Sequence, residues 1–438
     1  MFYACVRAVV ALCLRLFYRV KVNAPALEPD GPVLFVGNHP NGLIDPALVF
    51  ILTRRKVTFL AKAPLFRMPI IGWLLKGLDA LPVYRKQDDP AKMGGNEGTL
   101  DAAKGALVQG RAITIFPEGK SHSEPGLAEL KTGAARIALS AAKAGAPVRI
   151  VPVGLTYAEK HVFRSEVLID VGPAIDVQAF LPADAAEADA VRALTERIAS
   201  GLRAVTLNLE QWADLPLAQL AEQLFAFKQG GALDAERLRL WARGVQMFRA
   251  QEPERFESLR AQLAGFRHRM ALVQATGLED LALVYRPGNV VPFVVKNVLA
   301  LVLGLPLFAL GLGLFWLPYQ LPRLASRNAE LDVQATVKFL TAFVVALVWW
   351  GGLTAAAAVW GSAHLAVAVF LAVPPLALFT LYFAERWESL QRDIRVFFTL
   401  GNRVRLKGLL LADGERLALE MERLADEYRP RLDAAAQP

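Results

Sequence analysis

Hydrophobic and polar positions alternate in short blocks between about residues 21 and 175. Short apolar runs, typical of buried strands, are separated by longer stretches with helical periodicity. The strands are predicted at 33–37, 57–60, 80–84, 112–116, 148–154 and 167–171. The helices are predicted at 46–55, 69–78, 99–109 and 131–144. This alternation favours an α/β fold with a mostly parallel sheet flanked by helices.

Two stretches without a charged side chain lie in the last third of the chain, at 297–322 and 339–384. A helix needs about 20 residues to cross a bilayer, and the second stretch has more than twice that length. It therefore predicts two membrane spans, at 339–360 and 364–384.

The apolar segment 291–322 differs because Gly304-Leu305-Pro306 lies near its middle. Proline removes a backbone donor from the interior of a helix and breaks or kinks it. We therefore predict a re-entrant hairpin of two short helical arms, with a single span as the alternative. Together with the two spans, this segment makes 291–385 a predicted membrane domain.

The remaining segments are amphipathic or charged. Residues 1–20 are apolar, with three arginines on one side, which predicts an amphipathic helix at the membrane interface. A helix packed on the core of the neighbouring domain is the alternative. Residues 206–290 predict a helical region, and 386–438 predict a cytoplasmic helical tail. The α/β domain then occupies 21–205.

Composition narrows the classes of partner. The formal net charge of +8 favours anionic partners, either phosphorylated substrates or an acidic membrane surface. The basic residues are scattered and no basic motif interleaved with aromatic residues occurs, so no nucleic acid is expected as a partner. The cysteines Cys5 and Cys13 and the histidines His161, His268 and His364 have no metal-ligand spacing. We therefore predict no metal site and no disulfide.

Candidate chemistry follows two of the predicted strands. An imidazole and a carboxylate occur in Gly37-Asn38-His39-Pro40-Asn41-Gly42-Leu43-Ile44-Asp45-Pro46, and a second carboxylate occurs in Phe116-Pro117-Glu118-Gly119-Lys120-Ser121-His122-Ser123. A histidine suits a general base, which a carboxylate can orient. Residues six apart on a helix lie on different sides, so the pair requires a non-helical turn, for which Asn41-Gly42 is favourable. Alternatively, Asp45 before Pro46 is the N-cap of a helix.

These motifs resemble those of the glycerophosphate acyltransferase superfamily, whose members move a fatty acyl chain from a thioester onto a glycerol-phosphate hydroxyl. The family pattern has four blocks, and this chain contains all of them in order within about residues 20–205. The blocks are His39/Asp45, Leu81-Pro82-Val83-Tyr84-Arg85, Phe116 to Ser123, and Val151-Pro152-Val153-Gly154. The spacing from His39 to Asp45 is one residue longer than in the family. At the third block, the sequence Lys120-Ser121-His122 resembles that of the branch that contains fungal-type glycerol-3-phosphate and dihydroxyacetone-phosphate acyltransferases.

The resemblance implies a role for each candidate residue. His39 is the expected general base and Asp45 the carboxylate that fixes its tautomer, and no enzyme nucleophile, metal or cofactor is implied. The residues expected to bind the phosphate or hydroxyl of the acceptor are Arg85, Glu118, Gly119, Lys120 and Lys131. For Glu118 the alternative is a structural role, with hydrogen bonds to loop backbone amides. His122 is a weaker candidate because the family pattern assigns it no carboxylate partner.

The resemblance implies an enzyme, a membrane-bound O-acyltransferase of phospholipid biosynthesis. Acyl-CoA or acyl-carrier protein is the expected donor, glycerol 3-phosphate or dihydroxyacetone phosphate is the expected acceptor, and membrane lipids are expected partners. Within the same class, lysophosphatidate is the alternative acceptor. From another class, a non-catalytic membrane protein that only binds lipid is an alternative. A lipid hydrolase is disfavoured because no Gly-x-Ser-x-Gly motif precedes a helix.

Basic residues predict how the membrane domain is oriented. Lys338 and Arg386 flank the stretch of two spans, so both lie on one face, and the positive-inside rule places that face in the cytoplasm. A thioester donor requires the α/β domain on the same face. Arg323 and Arg327 lie on the same side of the membrane as Lys338, and the α/β domain precedes residue 291. Both ends of 291–322 are therefore expected in the cytoplasm. This expectation is the second reason for predicting a hairpin.

Overall fold

The computed structural model describes residues 2–24, 30–84, 95–181, 187–229, 235–273, 275, 287–400 and 404–436. The chain divides into two compact units. The first unit consists of Met1–Asn208 and Ser326–Leu340, and the second of Leu209–Ala325 and Thr341–Pro438. A short segment of the predicted membrane domain, Ser326–Leu340, therefore belongs to the unit that holds the N-terminal domain.

The described residues of the first unit form an eight-stranded sheet. Its strands are β1 (Arg19–Asn23), β2 (Val33–Gly37), β3 (Val57–Lys62), β4 (Leu81–Val83), β5 (Ala112–Ile115), β6 (Arg149–Tyr157), β7 (Glu166–Val171) and β8 (Ile175–Asp176). The order across the sheet is β1-β7-β6-β2-β5-β3-β4, with β8 paired to β6. Neighbours are parallel except where β6 pairs with β7 and with β8. The predicted mostly parallel sheet is confirmed.

Helices cover both faces of this sheet. They are α1 (Phe2–Phe17), α2 (Ile44–Leu52), α3 (Pro69–Gly77), α4 (Gly95–Val108), α5 (Gly133–Lys143) and α6 (Glu187–Val205). Successive side chains of a strand point to opposite faces. In β2, Val33 and Phe35 join the core beneath α1, α2 and α3, whereas Leu34 and Val36 join the core beneath α4, α5 and α6. Because both faces are covered, β2 is apolar throughout and buried at every position.

Helix α1 is packed on the domain along one side. Leu14 and Phe17 are buried in the core, and the Arg7 guanidinium donates to the Thr53 carbonyl at 2.8 Å. The opposite side of the helix is exposed and apolar, with Leu12 59% exposed. These contacts match the alternative of a helix packed on the core. The exposed apolar side remains available to a membrane surface.

The second unit contains a bundle of four described helices. They are α7 (Leu215–Gln229), α8 (Ala235–Gln251), α9 (Pro253–Leu272) and α13 (Val404–Ala436). Phe248 of α8 contacts Phe256 of α9 and Tyr428 of α13, with ring centroids 5.8 and 5.5 Å apart. The C-terminal tail is therefore packed against the helical region that precedes the membrane segments.

Three long apolar helices lie between α9 and α13. They are α10 (Pro287–Ser326), α11 (Leu331–Trp360) and α12 (Ala363–Leu400). Each contains a segment long and apolar enough to cross a membrane: Leu299–Ser326, Leu331–Trp360 and Ala363–Glu388. Large apolar side chains on these helices are exposed, among them Trp360 at 87%. Such exposure suits contact with lipid.

The hairpin predicted at 291–322 is wrong, because α10 is one continuous helix through Gly304-Leu305-Pro306. A proline inside a helix removes one backbone hydrogen bond and bends the helix. The hydrogen bonds of the turns before and after the proline can still keep the helix continuous. The two spans predicted from 339–384 correspond to α11 and α12, and the chain reverses between them after Trp360. Helix α11 begins earlier than predicted, at Leu331.

Candidate active site

His39 and Asp45 lie in the turn that joins strand β2 to helix α2. Gly42, in the middle of this turn, has a φ of +33°, which residues with a side chain rarely adopt. The turn brings His39 Nδ1 to 2.8 Å from Asp45 Oδ2. The non-helical turn predicted at Asn41-Gly42 is therefore present, and it places the two predicted residues in hydrogen-bond contact.

Asp45 is fully buried and is surrounded by hydrogen-bond donors. Its Oδ2 also accepts the Asn41 backbone N–H, and its Oδ1 accepts the Tyr157 hydroxyl, both at 2.6 Å. Burial, reinforced by the charge of Asp45, raises the pKa of Tyr157 well above its ordinary value, so the hydroxyl keeps its proton and remains a donor. The predicted N-cap role is wrong: Leu43 is the N-cap, and Asp45 lies in the first turn of α2.

The His39 ring is held in one orientation by contacts that leave its Nε2 atom open to a bound molecule. Because Nδ1 faces a carboxylate, it carries the proton and donates it, which leaves a lone pair on Nε2. The ring stacks on Phe116, with centroids 4.4 Å apart and planes inclined by 20°. In the part of the chain that the structure describes, Nε2 has no hydrogen-bond partner. The side chain is 12% exposed, so this nitrogen can receive a proton from a bound molecule.

Glu118 and His122 form a second histidine–carboxylate pair beside the first. Glu118 is buried; its Oε1 accepts the His39 backbone N–H at 3.1 Å, and its Oε2 contacts His122 Nε2. His122 Nδ1 accepts the Glu124 backbone N–H at 3.2 Å, so the ring proton lies on Nε2 and is donated to Glu118. Both Glu118 oxygens therefore have protein partners, which favours the structural alternative for this residue. His122, to which the family pattern assigns no carboxylate partner, contacts one in the structure.

The other predicted substrate-binding residues lie on the same loop or beside it. Gly119 has a φ of +73°, and a Cβ there would lie 2.6 Å from Lys131 Nζ. The Lys131 ammonium group is therefore in close contact with the Gly119 backbone. Lys120 is exposed. Arg85 lies outside the described residues.

Three residues that the sequence motifs did not identify complete the site. Besides Tyr157, they are Asn38, which exchanges hydrogen bonds of 3.0 and 2.7 Å with the Leu155 backbone, and Lys160. The Lys160 Nζ donates to the Pro40 carbonyl at 2.8 Å and to Ser123 Oγ at 2.7 Å, which links the two motif loops. Burial lowers the pKa of Lys160.

The sequence offered a signal for two of these residues. Asn38 is adjacent to His39, and Tyr157 lies at the end of a strand that was predicted to stop at residue 154. Strand β6 in fact continues to Tyr157. For Lys160 the sequence offers no signal, because its contacts depend on how the loop after β6 folds back.

The arrangement can perform general base catalysis. It presents one imidazole nitrogen with a free lone pair, oriented by a buried carboxylate that would stabilise the ring once it is protonated. A hydroxyl group bound beside Nε2 is the chemical class of substrate that such a base activates. Among the described residues, no three His, Cys, Asp or Glu side chains are grouped to hold a metal ion.

Comparisons with known proteins find similarity in the N-terminal part of the chain. A family model described as Acyltransferase matches residues 19–156. Glycerol-3-phosphate O-acyltransferase 1 of Saccharomyces cerevisiae is 32% identical over 153 residues, which cover 33% of this chain and 20% of the yeast protein. Lyso-ornithine lipid O-acyltransferase of Pseudomonas aeruginosa is 32% identical over 146 residues, 33% of this chain and 50% of that protein.

A third relative is matched over more of its own length. It is 1-acyl-sn-glycerol-3-phosphate acyltransferase of Borreliella burgdorferi, 28% identical over 180 residues, which cover 40% of this chain and 68% of that protein. By contrast, the chain spans only a fifth of the yeast protein and half of the Pseudomonas protein.

Proposed function

Since residues 19–156 form an acyltransferase domain of the glycerophosphate acyltransferase superfamily, we propose that this chain is a membrane-bound O-acyltransferase of phospholipid biosynthesis. It would transfer a fatty acyl group from acyl-CoA or acyl-carrier protein onto glycerol 3-phosphate or dihydroxyacetone phosphate. The observation that carries this proposal is the contact of His39 with buried Asp45, which leaves Nε2 available as a base.

The proposed reaction uses the site as follows. The acceptor hydroxyl gives its proton to His39 Nε2 while its oxygen attacks the carbonyl carbon of the thioester. As the new C–O bond forms and the C–S bond breaks, the thiolate leaves and takes the proton from the imidazolium. Asp45 stabilises the imidazolium, and the donors from Asn41 and Tyr157 hold the carboxylate in place.

The alternative acceptor is lysophosphatidate, favoured by the similarity to relatives named as 1-acyl-sn-glycerol-3-phosphate acyltransferases. Both acceptor classes present a hydroxyl near a phosphate, so the same base serves either. The Lys120-Ser121-His122 sequence and the similarity to the yeast protein favour the unacylated acceptors. A protein that only binds lipid would not need a histidine held in one tautomer by a buried carboxylate.

The experiment that tests the function is acyl transfer by the purified full chain in detergent or vesicles, with labelled acyl-CoA or acyl-carrier protein. The acceptors to compare are glycerol 3-phosphate, dihydroxyacetone phosphate, lysophosphatidate and a lyso-lipid that lacks phosphate. Faster transfer to one of the first two supports the proposal, and faster transfer to lysophosphatidate selects the alternative. Transfer to none of the acceptors, from either donor, contradicts an acyltransferase function.

The phosphate of the acceptor is proposed to bind at Lys131 and Lys120. Lys131 lies against Gly119 and makes no hydrogen bond or ion pair from its side chain to described residues. Lys131→Ala is therefore expected to raise the KM for the phosphorylated acceptor by about tenfold to a hundredfold, since a hydrogen bond to a charged group contributes about 1.5–3 kcal/mol. The KM for the acyl donor is expected to change less than the acceptor KM in steady-state kinetics.

A matched control is Lys143→Ala, because Lys143 is at the other end of the helix that follows Lys131. This variant should leave both KM values unchanged. If Lys131→Ala changed the donor and acceptor KM equally, Lys131 would not be a phosphate ligand. Arg85, which the family pattern also assigns to the phosphate, would then be the next residue to replace.

We also propose that the α/β domain lies on the cytoplasmic face and that α11 and α12 cross the membrane while α10 does not. Helix α13 is packed against α7, α8 and α9, so the segments before α10 and after α12 lie on one face. The start of α11 belongs to the unit of the α/β domain. The positive-inside rule places Arg323 and Arg327, at the end of α10, and Arg386, at the end of the apolar part of α12, on the cytoplasmic face. Both ends of α10 are then on the domain's face.

Helix α10 contacts α12 through residues near its middle. Phe308, in its middle, stacks on Phe383 with centroids 4.8 Å apart, and Gly311 is close to Thr380. Phe383 lies near the end of the apolar segment of α12, beside the basic residue Arg386. With both ends on one face, the apolar residues of α10 would lie within the cytoplasmic leaflet.

Single cysteines introduced near 288 and 328, after replacement of Cys5 and Cys13, are expected to react from the same side of sealed vesicles. The measurement is labelling by a membrane-impermeant thiol reagent before and after the vesicles are opened. A cysteine in the connection between α11 and α12, near 361, is the control and should react from the opposite side. Labelling of 288 and 328 from opposite sides would mean that α10 crosses the membrane.

A further inference from the structure

The start of helix α11 lies against the loops that carry the candidate dyad, although it is far outside the matched residues 19–156. Two of its residues bind these loops directly. Asp332 Oδ2 accepts a hydrogen bond from Ser121 Oγ at 2.6 Å, and Thr336 Oγ1 accepts one from the Leu43 backbone N–H at 3.1 Å. Asp332 and Thr336 are four residues apart and therefore share one face of the helix.

Further contacts fix this part of the helix on the domain. The Lys338 Nζ donates to the His161 carbonyl at 2.6 Å, and Phe339 contacts Phe17 with ring centroids 6.0 Å apart. Ala335, between the two polar residues, is fully buried. The contacts reach the turn after β2, the loop after β5 and the loop after β6, which are the three loops that surround His39.

The helix also lies close to the backbone of the turn between His39 and Asp45. A Cβ on Gly42 would lie 3.0 Å from both the Asp332 carbonyl oxygen and Thr336 Oγ1. Thr336 accepts its hydrogen bond from the backbone N–H of Leu43, which is the N-cap residue of α2. Asp45 lies in the first turn of the same helix. Thr336 therefore supports the backbone from which the Asp45 carboxylate reaches the imidazole.

Ser121, the partner of Asp332, has a similar place in the second loop. It lies next to His122, whose ring binds Glu118, and Glu118 in turn binds the His39 backbone N–H. Each of the two polar residues of α11 is thus linked to His39 through a different loop. Thr336 is linked to the imidazole through the turn that holds Asp45, and Asp332 is linked to the His39 backbone through the loop that holds Glu118.

We propose that Asp332 and Thr336 are positioning residues of the acyl-transfer site, so that the first turns of a membrane helix complete the geometry of the dyad. This inference rests on the proposed acyltransferase function. Displacing a reacting group by about 1 Å can cost about a hundredfold in rate. Loss of either contact is therefore expected to lower kcat with little change in the KM of either substrate, because neither residue is assigned to a substrate.

The test compares two replacements of Thr336 in the full-length protein. Thr336→Val keeps the shape of the side chain and removes the oxygen, whereas Thr336→Ser keeps the oxygen and removes the methyl group. We expect kcat to fall about tenfold to a hundredfold in Thr336→Val, and to remain within about threefold of the wild type in Thr336→Ser. A role limited to packing predicts the reverse order, because valine fills the same space.

Asp332 is tested in the same way. Asp332→Ala is expected to lower kcat by a factor similar to that of Thr336→Val. Val333→Ala is the control, because Val333 is the neighbouring residue and is exposed. Hydrogen–deuterium exchange of a peptide containing Leu43 should become faster in Thr336→Val and stay unchanged in Thr336→Ser, which reports the contact without relying on activity.

The outcomes separate this inference from the function on which it rests. If the wild-type chain transfers no acyl group to any acceptor, the proposed function fails. If the wild type is active and Thr336→Val matches it, or if Thr336→Val and Thr336→Ser lose activity equally, the positioning role is overturned and the proposed function stands.

Discussion

Replacing His39 with alanine is expected to lower the rate of acyl transfer by about 10²–10⁴-fold, the range that general base catalysis contributes. The side chain supplies the only lone pair that the described dyad offers to a substrate. The backbone of residue 39 would be retained, together with its hydrogen bonds to Glu118 and from the His122 N–H. The variant should therefore fold normally, and the measurement is initial rate at saturating donor and acceptor.

The control for this prediction is His268→Ala, in which an exposed histidine of helix α9 is removed from the second unit. It should retain wild-type activity. Thermal unfolding of both variants should show that neither loses its structure. Near-normal transfer by a folded His39→Ala protein would show that the base is another group, and the mechanism proposed for this site would be wrong.

Asp45→Asn is expected to be the second most damaging change, with a fall in kcat of about a hundredfold or more. The asparagine oxygen can still accept from His39 and from the Asn41 N–H, and its amide can face Tyr157, whose hydroxyl would then turn from donor to acceptor. What is lost is the negative charge that stabilises the imidazolium. The loss should therefore appear in kcat rather than in either KM.

A double variant tests whether the two residues act as one unit. The losses of rate caused by replacing residues of one catalytic unit do not multiply, because the first replacement already abolishes the function that the second would remove. His39→Ala combined with Asp45→Asn should therefore be about as active as His39→Ala alone. Multiplied losses in the double variant would mean that Asp45 contributes independently of His39, for example through the fold of the turn.

Much of the α/β domain could be predicted because its signals are local. An apolar run such as Val33 to Val36, buried on both faces, is recognisable as a central strand without knowledge of its neighbours. The dyad could be predicted because His39 and Asp45 are only six residues apart and Asn41-Gly42 between them favours the non-helical turn that brings them together.

The errors of prediction have a common cause. Asp45 could be interpreted as an N-cap because the sequence Asp-Pro is typical of a helix start. In the structure its carboxylate instead accepts hydrogen bonds from the Asn41 backbone N–H and the Tyr157 hydroxyl. The contact of Glu118 with His122 was not predicted, because the two side chains become neighbours only once the loop folds. The helix break in the predicted hairpin was inferred from Gly304-Leu305-Pro306, although one missing hydrogen bond does not end a long helix.

The sequence by itself determined the alternation of strands and helices, the candidate pair of His39 and Asp45, and the presence of long apolar segments. These features depend on residue type and on spacing over a few residues. Only the tertiary structure decided that Tyr157 and Lys160 join the site, and that Asp332 and Thr336 come from a helix almost 300 residues after His39. Contacts of that kind depend on packing between distant segments, which no local periodicity encodes.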